Sequence, residues 1–148
     1  MIRSREDFQP SAKMSEARSA STPETPSAAS GALSKPVHIQ PKGWGHEVWV
    51  HNDARYCGKI LVVKAGKRCS LHSHKLKHET FYVQTGRVHM RIRHSDGRED
   101  SFEMSPGDVL ELAPGTAHQF TGIAEQSEIM EFSTQHFEED SYRIEKGD

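Results

Sequence analysis

Gly66-Lys67-Arg68-Cys69-Ser70-Leu71-His72-Ser73-His74-Lys75-Leu76-Lys77-His78-Glu79-Thr80-Phe81-Tyr82-Val83-Gln84-Thr85-Gly86 is the stretch on which the reading of this chain turns. His72 and His74 are two apart, so on a strand both imidazoles leave the same face. Glu79 follows across a short connection and opens a second apolar run. A third imidazole, His118, stands downstream in Pro114-Gly115-Thr116-Ala117-His118. Imidazoles and a carboxylate are the donors that a divalent transition metal takes.

The sequence on either side of this stretch has a repeating texture. Short apolar runs alternate with Gly, Pro and Asp turns from Val37 onward. Val48-Trp49-Val50, Gly58 to Lys64, Thr80 to Gln84, Val109 to Leu112, His118 to Phe120 and Ile129 to Phe132 each predict a strand. Arg87 to Arg93 alternates strictly, which places Val88, Met90 and Ile92 on a core face and the arginines outside. Asp96-Gly97 predicts a tight hairpin, because Gly readily takes the positive φ of a type I′ turn. No amphipathic helix competes with these strands. The pattern predicts an all-β sandwich or barrel.

Residues 1–36 differ. Serines and alanines are interspersed with Pro10, Pro23, Pro26 and Pro36, and large apolar residues are sparse. Such a segment buries too little to offset its ordering entropy, so we expect a disordered tail over 1–36 and one domain over 37–148. No apolar h-region follows Met1, which argues against a secretory signal. Arg3, Arg5 and Arg18 suit an organellar transit peptide, whereas Glu6, Asp7, Glu16 and Glu24 do not.

Composition narrows the functional classes. The chain has 148 residues, 34% hydrophobic, with a mean hydropathy of -0.74. A net charge of -2 and a pI near 6.5 argue against a nucleic-acid binder. No apolar run reaches the length of a membrane span. Cys57 and Cys69 are too few for a disulfide framework and read as reduced, partly buried thiols of a cytoplasmic protein.

The stretch Gly66 to Gly86 resembles the first cupin motif: a glycine, five residues, His-x-His, a short gap, Glu, six residues, a glycine. Gly107 to Gly122 resembles the second motif, with Ala113 in place of the family's proline and Gly122 in place of its asparagine. The resemblance implies a single-domain cupin, a jelly-roll barrel or double-stranded β-helix. It also implies His72, His74, Glu79 and His118 as ligands of one divalent metal: Mn, Fe, Zn, Co or Ni. The flanks are similar to the cupin part of type II mannose-6-phosphate isomerases. The similar segments are the Trp44-Gly45 entry, Arg68-Cys69-Ser70-Leu71, Pro114 to His118, and the acidic run that ends in Arg143.

That group implies aldose–ketose isomerisation or epimerisation of a sugar or sugar phosphate. The reaction needs a metal at the oxygens and a base that moves a proton through a cis-enediol. Glu131 and Glu111 are the candidate bases, since both lie in apolar strand runs; each could equally be an outward, solvated glutamate. Lys59, Arg68 and Arg143 are candidate cations for an anionic substrate, against a reading as surface charges. Arg68 would point inward if the strand carrying the histidines extends back to it. Trp44 and Trp49 could line a sugar site or serve as packing. His78 is expected to face away from Glu79, at the rim or behind a ligand. Two other functions remain open on the same ligand set: an iron-dependent dioxygenase and a non-catalytic carbohydrate-binding cupin. By the same resemblance we expect a homodimer paired through barrel-edge strands.

Overall fold

The computed structural model describes residues 22–25, 30–35 and 38–148. Among the described residues eleven strands form two antiparallel sheets. They are β1 (His38–Lys42), β2 (Gly45–Asn52), β3 (Cys57–Lys64), β4 (Leu71–Ser73), β5 (Glu79–Thr85), β6 (Val88–Arg93), β7 (Glu99–Met104), β8 (Val109–Leu112), β9 (Ala117–Gly122), β10 (Gln126–Ser133) and β11 (Tyr142–Glu145). The first sheet runs β1-β2-β3-β10-β5-β8 and the second β11-β4-β9-β6-β7. Among the described residues the only named helical element is a 3-10 turn, Glu138–Asp140. The expected all-β jelly roll is the fold observed.

Alternation decides what each strand buries. On β6 Val88, Met90 and Ile92 are buried, while Arg91 and Arg93 face out to Glu99 and Glu145. Leu61, Val63, Phe81, Val83, Leu112 and Ile129 of the first sheet meet Val88, Met90, Ile92, Met104 and Phe120 of the second in one apolar cluster. This core occupies part of the space between the sheets. The remainder is polar.

Most of 1–36 lies outside the described residues. Within it, 22–25 is attached to the domain: Thr25 N–H donates to Asn52 O at 2.8 Å, and the Asn52 side chain donates to Pro23 O at 2.8 Å. The buried, polar Asn52 explains the attachment, because its amide also binds the backbone of His136. Nothing in the composition of 22–25 signals this contact.

Candidate metal centre

Strand register assembles the histidines. His72 on β4 is directly opposite His118 on β9, and the same row continues to Ile92 on β6 and Arg143 on β11. His74 follows β4 immediately. Ring centroids are 4.6 Å apart for His72 and His118, 5.0 Å for His72 and His74, and 5.8 Å for His74 and His118. One ligand atom from each lies within 4.8 Å of the other two. Glu79 begins β5 in the opposite sheet. Its Oε1 is 3.6 Å from His74 Nε2 and its Oε2 is 3.2 Å from His118 Nε2.

Backbone carbonyls fix how these rings present themselves. His72 Nδ1 donates to Ser70 O at 2.8 Å, His74 Nδ1 to Asp140 O at 2.9 Å, and His118 Nδ1 to Thr116 O at 3.0 Å. A carbonyl only accepts, so each Nδ1 carries the hydrogen and each neutral ring turns a bare Nε2 lone pair inward. Burial first, then the neighbouring His118 and His74, lowers the His72 pKa to about 3. Burial likewise lowers that of His74. His118 Nε2 is a buried nitrogen with no hydrogen-bond partner; Glu79 Oε2 is 3.2 Å away, but a bare lone pair has no hydrogen to give a carboxylate. Such an orphan costs free energy unless something binds it. Three neutral imidazoles with converging lone pairs could hold a metal ion.

A set of buried charges adjoins the cluster. Lys77, on the connection between β4 and β5, is 3% exposed and forms ion pairs with Glu79 Oε1 at 2.9 Å and with Glu131 Oε1. Burial disfavours its ammonium, but Glu131 and Glu79 outweigh that and raise its pKa. Burial alone would raise the Glu79 carboxyl. The Lys77 ammonium leads the opposing influences and holds it well below the ordinary value. Glu131 reaches the cavity through register: it lies in the inward row His38–Trp49–Lys59–Glu131–Phe81–Leu110, which crosses the first sheet. Lys59, in the same row, lies 4.1 Å from the centroid of the Trp49 ring and pairs with Glu47 Oε2 at 3.3 Å. Burial pushes Glu47 up, yet Lys59 and Lys42 bring it down to about 2. His136 accepts from Lys77 Nζ at 3.3 Å and approaches Glu138 with its other nitrogen at 3.2 Å.

The loop that carries Lys77 is shaped by Asp140. This buried carboxylate accepts from the N–H groups of Lys75, Leu76 and Lys77 at 2.9 to 3.2 Å, while its own carbonyl orients His74. One residue of the 3-10 turn therefore positions both a metal-cluster imidazole and the buried lysine.

These groups surround a cavity of about 230 Å³. Of the residues singled out from sequence, His72, His74, Glu79, Glu131, Lys59, Trp44 and Arg143 line it. His118 closes the cluster from its buried position on β9. Trp44 packs edge-on to Phe120 at 5.0 Å.

Glu111 and Arg68 are not brought to the cavity. Glu111 is opposite Thr80 on the outer face, where it pairs with His78 at 2.8 Å. Its β8 neighbours Leu110 and Leu112 take the inward positions. Arg68 lies before β4 begins, joined to Thr121 by an isolated bridge, with its backbone N–H held by Asp148 and its side chain exposed. The strand does not extend back to it. Trp49 is core packing, 1% exposed. Cys57 and Cys69 are free and buried, and burial raises their thiols to about 11 and about 12.

Lys77, His136 and Asp140 escaped the sequence reading. For Lys77 the usable signal was its parity with Glu79 in Lys77-His78-Glu79. Asp140 lies in the acidic run that ends in Arg143, but nothing local marked its contact with the Lys75–Lys77 loop; for His136, beyond β10, no local pattern existed.

The Cupin domain family model matches residues 59–132, half of the chain. The chain is a cupin. This cupin is 30% identical over 116 residues to the D-lyxose/D-mannose isomerase of Thermosediminibacter oceani, covering 64% of this chain and 63% of that one. The chain thus spans less than two thirds of that distant homologue. Among solved structures it is similar to the capsular polysaccharide assembling protein CapF of Staphylococcus aureus, with a TM-score of 0.68 and 20% identity over 76% of this chain and 33% of that chain. It is also similar to the oxalate decarboxylase of Bacillus subtilis, with a TM-score of 0.66 and 19% identity over 72% of this chain and 30% of that chain. At such identities the likeness is one of fold.

Proposed function

We propose that this cupin is a metal-dependent isomerase that interconverts an aldose and a ketose. In this reading His72, His74, Glu79 and His118 hold one divalent transition metal: Mn, Fe, Co, Ni or Zn. The observation that carries it is the buried Lys77–Glu131 ion pair, which shares one cavity with the histidine cluster. A divalent ion held there supplies Lewis-acid polarisation of the substrate's carbonyl and adjacent hydroxyl oxygens. Glu131 serves as the base, taking a proton from one of the two reacting carbons and returning it to the other, while the hydroxyl proton passes from the oxygen on the first carbon to the oxygen on the second.

Lys77 also bridges Glu131 to Glu79, which fixes the base relative to the metal ligands. Trp44 gives the sugar an apolar wall, and Arg143, with Lys146 near it, offers positive charge to a phosphate at the cavity edge. The distant relation to a D-lyxose/D-mannose isomerase supports a carbohydrate substrate, as does the resemblance of the flanks to type II mannose-6-phosphate isomerases. Neither a dioxygenase nor a binding protein requires a buried carboxylate–ammonium pair beside the metal. Two buried free thiols fit a reducing, cytoplasmic setting.

The test is solvent deuterium incorporation at C2 of D-mannose, D-lyxose, other aldoses and their phosphates. Incorporation into at least one of them is expected. It should fall by roughly 10²–10⁴-fold in Glu131→Gln with metal content unchanged. No incorporation across the panel with metal bound would rule out the isomerase.

A further inference from the structure

Residues 22–25 occupy a place where the first sheet leaves an edge open. β1 pairs with β2 only as far as Trp49. Beyond it Thr25 takes the edge: its N–H donates to Asn52 O at 2.8 Å, and its Oγ1 accepts from Asn52 N–H at 2.8 Å. The other side chains of the segment reach the chain just past β10. Gln135 Nε2 donates to Glu24 Oε1 at 2.7 Å. Thr22 Oγ1 accepts from Glu138 N–H at 3.2 Å and donates to Glu139 Oε2 at 3.4 Å.

Asn52 ties this segment to the wall of the cavity. It is fully buried. Its side-chain amide has two hydrogens to give and one oxygen to accept with. It donates to Pro23 O at 2.8 Å and to His136 O at 3.2 Å, while its oxygen accepts from His136 N–H at 2.8 Å. Without 22–25 the amide keeps only its bonds to His136. A buried N–H is then left unpaired, which costs free energy.

The stretch 135–140 backs the histidine cluster. His136 accepts from Lys77 Nζ, Asp140 O accepts from His74 Nδ1, and the Asp140 carboxylate accepts from the N–H groups of Lys75, Leu76 and Lys77. Residues 22–25 bind that stretch from its far side, at Gln135, His136 (through Asn52), Glu138 and Glu139. Asp140 is the next residue along.

We infer that 22–25 is a latch. Thr22, Glu24 and Thr25 are positioning residues: they hold 135–140, and through it His74 and the Lys77 loop, in the geometry of the cluster. None of the three touches a clustered histidine. Partners behind the ligands set ligand orientation, so a loosened latch disorders the centre from outside it. The latch itself does not depend on metal binding; only its effect on metal affinity rests on the reading of the cluster given above.

The test uses the full chain and two variants of it. The triple variant Thr22→Val, Glu24→Ala, Thr25→Val removes the side-chain bonds of the latch while keeping the shape of both threonines. The double variant Thr22→Ser, Thr25→Ser keeps both hydroxyls. Hydrogen exchange of the metal-free proteins is followed amide by amide by NMR. The amides of Lys75, Leu76 and Lys77, which Asp140 holds, should exchange roughly tenfold or more faster in the triple variant. They should keep the rates of the unaltered chain in the serine variant, and the amides of β6 should keep theirs in both. With Co²⁺ as the probe, the triple variant should bind roughly 10–100-fold more weakly, with shifted d–d absorption bands, and the serine variant should match the unaltered chain. Unchanged exchange at the three amides in the triple variant would overturn the latch. So would faster exchange that extends equally to β6, or a serine variant that behaves like the triple one. Exchange is read without metal, so an unaltered chain that takes up no Co²⁺ would count against the metal reading, and the latch would still be decided by the three amides.

Discussion

At the scale of single residues, the carbonyls of Ser70, Asp140 and Thr116 place hydrogens on three Nδ1 atoms. Each ring therefore points its Nε2 into the cluster. This has a consequence for pH. His72 has a folded pKa of about 3 against an ordinary 6.5, so between those values the unfolded chain binds a proton that the folded chain refuses. Stability of the metal-free protein therefore falls as pH drops from 6.5 toward 3. Glu47, about 2 against 4.5, adds a loss of the same sign as pH falls from 4.5 toward 2. Calorimetry between pH 8 and pH 3 should show both declines, and His72→Gln should flatten the upper one. An unchanged slope in that variant would contradict the assignment.

Lys77 gives a second test at this scale. Removing the ammonium in Lys77→Met leaves Glu79 and Glu131 buried without their counter-charge, at a cost of roughly 3–5 kcal/mol. Adding Glu131→Gln removes one of the stranded charges. The double variant should then be more stable than Lys77→Met alone by about 1 kcal/mol or more, measured by urea unfolding. Strict additivity of the two substitutions would show that the pair is not coupled.

At the scale of elements, strand register decides which candidate reaches the cavity. Glu131 and Glu111 occupy similar apolar runs, Ile129-Met130-Glu131-Phe132 and Val109-Leu110-Glu111-Leu112. In β8 the two leucines take the inner face and exclude Glu111. In β10 Phe132 is left 54% exposed while Glu131 goes in. Hydrophobicity alone misassigns the second case, because the inner face there is partly a polar cavity and the outer face is apolar. The motif histidines were legible because their period-2 spacing survives in any register. The parity of Glu131, by contrast, depends on its pairing with Lys59 and Phe81, which are distant in sequence.

Two elements carry further tests. Gly86 closes the quoted stretch at φ +78, and a Cβ there would strike Ser127 and the carbonyl of Gln126. Gly66 opens the stretch at φ +70 with clear space around it. Gly86→Ala should cost clearly more than the roughly 1–2 kcal/mol of left-handed strain expected for Gly66→Ala, by denaturant titration. Asp140→Ala removes the acceptor for three consecutive N–H groups of the loop bearing Lys77. It should weaken metal binding by roughly 10–100-fold in competition with a chelator, although Asp140 side-chain atoms make no bond to any of the clustered histidines.

At the scale of the whole molecule, turn residues and alternation made the jelly roll readable from sequence, and the two motifs placed three histidines on its inner face. What no window of sequence contains is the charge pattern that arises when the two sheets close: an apolar half, and a half in which Glu47, Lys59, Lys77, Glu79 and Glu131 pair among themselves. That arrangement puts the histidine cluster and the buried Lys77–Glu131 pair on one cavity. The most direct measurement is solvent deuterium exchange at C2 of an accepted sugar as metal is removed with a chelator and then restored. Exchange should vanish in the metal-free protein and return at one equivalent of a divalent transition metal per chain. Exchange that persists without metal, or that fails to return at one equivalent, would contradict the account.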